Sequence, residues 1–211
     1  MIKKLFTLFK ITRKLALSDV LSITAKFNKP PTIVKIFFKI LSFSFSKKEE
    51  INFNISEEER LSNSLQSMGT TFIKLGQFLA TRPDIIGNDL SKQLETLQDK
   101  LPPFPLPKAK AIIKNELGEK MFNSLINISE PVAAASIAQV HKAQIKDHGT
   151  IKDVAIKILR PEIKKIFNDE IDALMLLAFI VESIIKKTKR LKLIEVVFLL
   201  KEITNLEMDL R

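Results

Sequence analysis

Lys157 is a charged side chain in the middle of a run that otherwise has the pattern of a β-strand. Val154, Ile156 and Ile158 occupy every second position of this run, which is typical of a strand. A buried sheet normally has an apolar side chain at such a place. The lysine could hold an anionic group such as a phosphate. It could equally belong to a plain β-hairpin, where its stem covers apolar surface and its ammonium group reaches water.

The segments before this strand predict the rest of a small antiparallel sheet. Residues 136–145 form a second extended run, and the polar residues 146–150 include Gly149, which suits a hairpin turn. Upstream of both runs lies a row of small residues, Pro-Val-Ala-Ala-Ala, at 131–135. We therefore expect a strand, a loop of small residues and then a hairpin that carries Lys157.

The composition excludes several classes of site. The chain has 211 residues and no cysteine, so disulfides and thiolate metal sites are excluded. His141 and His148 are its two histidines, which excludes a histidine-rich metal site. We find no signal peptide with a small-residue cleavage site.

The positive charge of the chain is concentrated near its N-terminus. The net charge is +10, and residues 1–48 carry eleven Lys or Arg against Asp19 alone, whereas the remaining residues balance. Nucleic-acid-binding domains usually spread basic charge over a folded face, so no nucleic acid is expected as a partner. A basic arm rich in Phe and Leu is typical of contact with an anionic membrane surface.

Two segments of this arm predict amphipathic helices. The first covers residues 2–27 and ends before Pro30, and the second covers residues 33–45. Charged residues interrupt both segments before about 20 apolar residues accumulate, so neither predicts a transmembrane span. The alternative to membrane contact is that both helices pack on the domain with solvated lysines.

The middle of the chain predicts mainly helices. We expect helices over 56–81, 89–101, 108–117 and 121–126, a stiff proline segment at 101–107, and further helices over 161–185 and from residue 194 onward. Gly76 lies inside the first of these helices, where glycine costs about 1 kcal/mol relative to alanine. Its presence predicts the close approach of another backbone.

Five motifs follow one another along the chain. They are Lys-Leu-Gly-Gln at 74–77, Leu-Gln-Asp-Lys-Leu-Pro-Pro-Phe at 97–104, Pro-Val-Ala-Ala-Ala-Ser-Ile-Ala-Gln-Val-His at 131–141, Val-Ala-Ile-Lys-Ile-Leu-Arg-Pro at 154–161 and Glu-Met-Asp-Leu-Arg at 207–211. In this order they resemble one family, the UbiB-type atypical protein-kinase-like proteins of ubiquinone (coenzyme Q) biosynthesis. The resemblance covers nearly the whole chain.

The resemblance implies roles for individual residues. Lys157 is similar to the lysine that holds nucleotide phosphates, and Glu207 to its helix partner. Alanines cannot take the positive φ angles of the glycines in an ordinary kinase loop, so the nucleotide should sit differently. The implied nucleotide-binding residues are Ala133, Ala134, Ala135, Ser136 and Lys157; the implied ion-pair and regulatory residues are Lys74, Gly76, Gln77, Glu207 and Asp209.

The implied fold is α+β and mostly helical. Basic amphipathic helices (1–48) precede a helical extension with the Lys-x-Gly-Gln motif (49–128) and a partial kinase-like N-lobe (129–211) whose antiparallel sheet has three strands and flanking helices. The implied cofactor is ATP with Mg²⁺. The implied location is the cytoplasm, peripheral to the inner membrane. The implied partners are an anionic membrane surface, proteins of ubiquinone biosynthesis and a separately encoded C-lobe fragment.

The sequence departs from the family in lacking a His-Arg-Asp-like catalytic loop and an Asp-Phe-Gly motif. Kinases need these segments for the catalytic aspartate and the metal ligands, so we expect no catalytic residue and no protein metal ligand in this chain. Whether it is an enzyme therefore stays open. We expect an N-terminal fragment of the family that is inactive alone. The alternative is a membrane-surface scaffold fragment without nucleotide chemistry.

Overall fold

The computed structural model describes residues 2–17, 57–95, 97, 99, 101–147, 149–184 and 186–210. Within this part the chain is mostly helical with one antiparallel sheet, which confirms the predicted fold class. The helices are α1 (Ile2–Leu17), α2 (Glu57–Met68), α3 (Thr70–Ala80), α4 (Pro83–Ile86), α5 (Asn88–Glu95), α6 (Leu106–Ser124), α7 (Ile163–Ile184), a 3₁₀ helix (Lys186–Leu191) and α8 (Leu193–Glu207).

The chain divides into two compact units. The first comprises Met1–Gln98 and Lys165–Leu206, and the second comprises Asp99–Lys164 and Glu207–Arg211. The predicted boundaries at residues 48 and 128 stay a prediction. The predicted helix over 2–27 is described as far as Leu17, whereas the segment 33–45 lies outside the described residues. None of the described helices combines the length and apolarity that a membrane crossing requires.

In the first unit, α3 packs against α2 and α5 around the buried side chains of Phe72 and Ile73. The single helix predicted over 56–81 is interrupted at Gly69, whose φ of 104° is incompatible with a helix and costs glycine little. The Gly69 carbonyl then accepts the N–H groups of Phe72 and Ile73 and starts α3. The helix predicted over 89–101 ends at Glu95.

Gly76 is closely approached by side chains and not by another backbone, so that prediction is wrong in its detail. A Cβ at this position would lie 3.1 Å from Cδ1 of Leu65 and 3.2 Å from Cδ2 of Leu97. Both leucines are buried in the same helical core. The glycine therefore leaves room for the leucines that join α2 and the segment after α5 to α3.

The sheet of the second unit has four strands: β1 (Leu125–Ile126), β2 (Pro131–Ala134), β3 (Ala138–Asp147) and β4 (Thr150–Leu159). β3 is central, because β4 pairs along one of its edges while β1 and β2 pair antiparallel with different parts of its length. The additional strand, β1, falls where the sequence predicted the end of a short helix. Two residues are too few to show strand alternation.

Helix α6 covers one face of this sheet. Ala109 and Ile113 form its buried centre with Ile158 of β4, and Ile156 packs against the same cluster. The helix contains a kink at Gly118, with a φ of 78°, at the residue that was predicted to end it. Because side chains alternate along a strand, the burial of Ile156 and Ile158 under α6 directs Lys157 to the opposite face.

Candidate functional site

The face of the sheet opposite α6 carries a cleft of about 750 Å³ within the second unit. Lys157 lines it beside Val140, its register partner on β3. The side chain of Lys157 is exposed, so its ammonium group is accessible to a ligand. The full lining is Asp99, Leu101, Pro102, Val132, Ala133, Ala134, Ala135, Ala138, Val140 and Lys157.

The three consecutive alanines form a second wall of the cleft. β2 ends at Ala134, and the N–H of Ala135 donates to the carbonyl of Ala138 at 2.8 Å, which closes a tight turn into β3. Ser136, inside the turn, is fully buried. The three alanines thus line the cleft while the backbone of the turn is hydrogen-bonded.

Asp99, Leu101 and Pro102 form the third wall of the cleft, and we call Asp99 together with residues 101–104 the strap. Asp99 is the first residue of the strap, and its carboxylate accepts the backbone N–H of Ser136 at 2.9 Å. At the other end of the strap, the side-chain amide of Gln139 binds both backbone groups of Phe104: Oε1 accepts the N–H at 2.9 Å and Nε2 donates to the carbonyl at 3.1 Å. The strap is therefore held to the turn and to β3 at both ends.

Arg160 ties the strap to the alanine turn between these two anchors. Its guanidinium donates to three backbone carbonyls, those of Ala135 at 3.0 Å, Pro102 at 3.0 Å and Leu101 at 3.1 Å. Its own backbone N–H donates to the carbonyl of Ile137 at 2.9 Å. Partial burial lowers the pKa of the Arg160 guanidinium, and the nearby carboxylate of Asp99 acts in the opposite direction. The side chain keeps its charge, as arginine does in proteins.

The imidazole of His141 is hydrogen-bonded to the side-chain amide of Gln139. Its Nε2 lies 2.9 Å from Nε2 of Gln139, and its Nδ1 lies 2.8 Å from the carbonyl of Ser129. Because an amide nitrogen only donates, Nε2 of the ring must accept and Nδ1 must carry the proton. The ring is fully buried, and its hydrogen bonds to Gln139 and Ser129 fix its orientation.

The structure brings together some of the residues that the sequence predicted for the site. Ala133, Ala134, Ala135 and Lys157 line one cleft, and Ser136 contributes its backbone N–H behind it. The assignment of these residues to nucleotide stays a prediction.

The other predicted residues are not among those that line the cleft. Lys74, Gly76 and Gln77 lie on α3 of the first unit, where Lys74 is 8 % exposed. Glu207 is the exposed last residue of α8, and Asp209 is also exposed. The pairing of Lys157 with Glu207 stays a prediction.

Three residues that shape the cleft were not singled out from the sequence. Asp99, Gln139 and Arg160 all lie inside the recognised motifs, at 97–104, 131–141 and 154–161. Their role depends on contacts across 25 to 59 residues. The available signal was their polarity: each is a hydrogen-bonding side chain beside a segment of alanine, valine, leucine or proline.

Comparisons with known proteins show the family of this chain. Residues 96–211 match the family described as ABC1 atypical kinase-like domain. The chain is 35% identical over 168 residues to "Probable protein kinase UbiB" of Marinobacter nauticus, an alignment that covers 79% of this chain and 29% of that protein. It is 39% identical over 139 residues to the protein of the same name from Azotobacter vinelandii, covering 65% of this chain and 25% of that one.

A third relative with this name, from Aliivibrio fischeri, is 38% identical over 154 residues, which is 72% of this chain and 28% of the relative. The chain thus spans between a quarter and a third of the length of these relatives. No solved structure matches it. The matched residues 96–211 are more than half of the chain and include the whole cleft with Lys157, so this chain belongs to the ABC1 atypical kinase-like domain family.

Proposed function

We propose that the second unit is the nucleotide-binding part of a UbiB-like atypical kinase domain that supports or regulates ubiquinone biosynthesis. The observation that supports this most directly is that Lys157 and the three alanines line the same cleft. A cleft of about 750 Å³ is in the usual range for small-molecule sites. Its alanine, valine, leucine and proline lining suits a nucleoside, and Lys157 provides a cation for phosphate oxygens.

The residues of this chain would bind and orient the nucleotide. Lys157 would hold phosphate oxygens through its ammonium group, and the methyl groups of Ala133–Ala135 would cover the nucleotide and keep water from it. ATP, when bound, would supply the transferable phosphoryl group of kinase chemistry. The family also implies Mg²⁺; among the described residues, no group of three or more His, Asp or Glu could hold a metal ion.

Replacement of Lys157 by methionine should abolish nucleotide binding. We expect the unmodified chain to bind ATP with at most millimolar affinity and to show no ATP turnover, because the sequence contains neither a catalytic-loop motif nor an Asp-Phe-Gly motif. Isothermal titration with ATP measures the binding, and phosphate release measures the turnover.

Lys152 offers a matched control for this measurement. It lies on the same strand, is exposed and does not line the cleft, so Lys152→Met should bind ATP like the parent. Equal binding by the parent and by Lys157→Met would contradict the proposed site. ATP turnover by the parent above the level of Lys157→Met would contradict the expectation that the chain is inactive alone.

We further propose that α1 attaches the chain to the cytoplasmic face of the inner membrane as a peripheral protein. Phe6 and Phe9 are 58% and 51% exposed, and the ammonium of Lys10 lies 4.8 Å from the ring centre of Phe6. Exposed aromatic rings beside lysines match the interfacial helices that bind anionic lipid. This helix supports the scaffold interpretation as well, because membrane attachment does not require nucleotide.

Serine at both Phe6 and Phe9 should reduce flotation of the chain with vesicles that contain anionic lipid. The parent should float with these vesicles, and its binding should fall as salt rises because the attraction is partly electrostatic. Phe198→Ser is a matched control, since Phe198 is 53% exposed on α8. Equal flotation of the double variant and the parent would exclude α1 as the attachment site.

A further inference from the structure

Asp99 is the acidic residue among the side chains that line the cleft, and Lys157 is the basic one. The carboxylate of Asp99 has a defined position, because its Oδ1 accepts the N–H of Ser136 at 2.9 Å. The cleft therefore has a negative group, Asp99, where the strap meets the turn, and a positive group, Lys157, on β4.

The N–H of Ser136 belongs to the turn that follows the alanines. A backbone N–H group can donate to a phosphate oxygen as well as to a carboxylate oxygen. In this chain the N–H donates to an internal carboxylate. Ser136 is fully buried and does not line the cleft, so a phosphate group could reach this N–H only by displacing Asp99, which does line the cleft, and it would meet the negative charge of Asp99.

Two other contacts keep Asp99 in this position. Arg160 binds the carbonyls of Leu101 and Pro102 and links them to Ala135. Gln139 binds both backbone groups of Phe104. Because the strap is fixed at Leu101, Pro102 and Phe104, withdrawal of the Asp99 carboxylate would require either a local rotation of its side chain or the rupture of these contacts.

We infer that Asp99 determines where an anionic ligand sits in the cleft: it excludes phosphate from the turn N–H of Ser136 and confines it to Lys157. This inference rests on the proposed nucleotide site and adds a specificity-determining residue to it. It gives a physical cause for the weak ATP binding that we expect. In the parent chain, the Ser136 N–H donates to the carboxylate of Asp99 and not to a ligand.

The test is ATP binding to Asp99→Asn in the full chain. Asparagine keeps an oxygen that can accept the Ser136 N–H, so the fold should be retained while the charge is lost. We expect the Kd for ATP to fall about tenfold, since even a small part of the repulsion between charges a few ångströms apart corresponds to such a factor. In ¹H–¹⁵N spectra, the Ser136 amide should shift on addition of ATP in this variant and not in the parent.

Two variants control for charge and position. Asp153→Asn has the same change in net charge, lies on β4 outside the cleft, and also removes a hydrogen-bonded carboxylate; it should bind ATP like the parent. Asp99→Glu keeps the charge and should remain as weak as the parent. Thermal melts of all variants check that each is folded.

The outcomes separate this inference from the proposed site. An unchanged Kd in Asp99→Asn, an equal gain in Asp153→Asn, or a failure of Asp99→Asn to bind ATP would each overturn the role of Asp99. Binding that Lys157→Met does not weaken would instead overturn the nucleotide site at Lys157. A tenfold gain in Asp99→Asn that Lys157→Met abolishes when the two are combined supports both.

Discussion

Replacement of Arg160 by methionine should lower the free energy of unfolding of the second unit by about 3–4 kcal/mol. Three guanidinium hydrogen bonds are lost, to the carbonyls of Ala135, Pro102 and Leu101. Hydrogen bonds to charged groups contribute about 1.5–3 kcal/mol each, and partial exposure of the site reduces their sum. Hydrogen exchange of residues 99–164 under native conditions measures this unit separately.

Two further variants define the cause of the loss. Arg160→Lys keeps the charge, but a compact ammonium group cannot reproduce the planar fork that reaches three carbonyls, so it should recover only a small part of the stability. Arg190→Met removes an exposed arginine of the first unit and should change the exchange rates of residues 99–164 little. Full stability of Arg160→Lys would show that charge alone matters and that the three-carbonyl geometry does not.

Replacement of Gln139 by leucine should destabilise the second unit by about 3–5 kcal/mol. The N–H and the carbonyl of Phe104 and the Nε2 atom of His141 would lose their partner together. Gln139 is 1% exposed, so water cannot easily replace the amide. Unfilled hydrogen-bonding groups in such a site cost about 1–3 kcal/mol each.

Gln144→Leu is the matched control for this prediction. Gln144 lies on the same strand and also makes two side-chain hydrogen bonds, to Asn127 and Asp153. These bonds are exposed, so their loss should cost about 1 kcal/mol or less. Denaturant unfolding followed by circular dichroism compares the two variants. Similar losses in both would contradict the importance of the buried anchor at Phe104.

The sequence predicted the elements of the second unit well where the local pattern was strong. Alternation around Lys157 and the turn at Gly149 identified the hairpin of β3 and β4. The strand β1 was missed because two residues carry no period. The break at Gly69 was missed because the helical pattern continues on both sides of it, and only the backbone angle of the glycine shows the interruption.

The residues of the cleft were predictable from the sequence only where the local pattern was strong. Lys157 and the alanines stand out locally, as a cation in a strand and a run of one small residue. The contacts of Asp99 and Arg160 with the alanine turn join positions 25 to 37 residues apart. No local pattern encodes which carbonyl an arginine will meet at such a separation. The motifs indicated that these residues matter, and the fold showed what they contact.

The hydrogen bonds that hold the strap also determine which positions should tolerate substitution. Leu101 and Pro102 contribute only backbone carbonyls to the Arg160 contacts, and both residues line the cleft. Substitutions at these two positions should change the wall of the cleft while the hydrogen bonds to Arg160 are kept. Arg160 and Gln139 make their contacts through their own side chains, so substitutions there remove the contacts. We therefore expect tolerated substitutions to concentrate at Leu101 and Pro102.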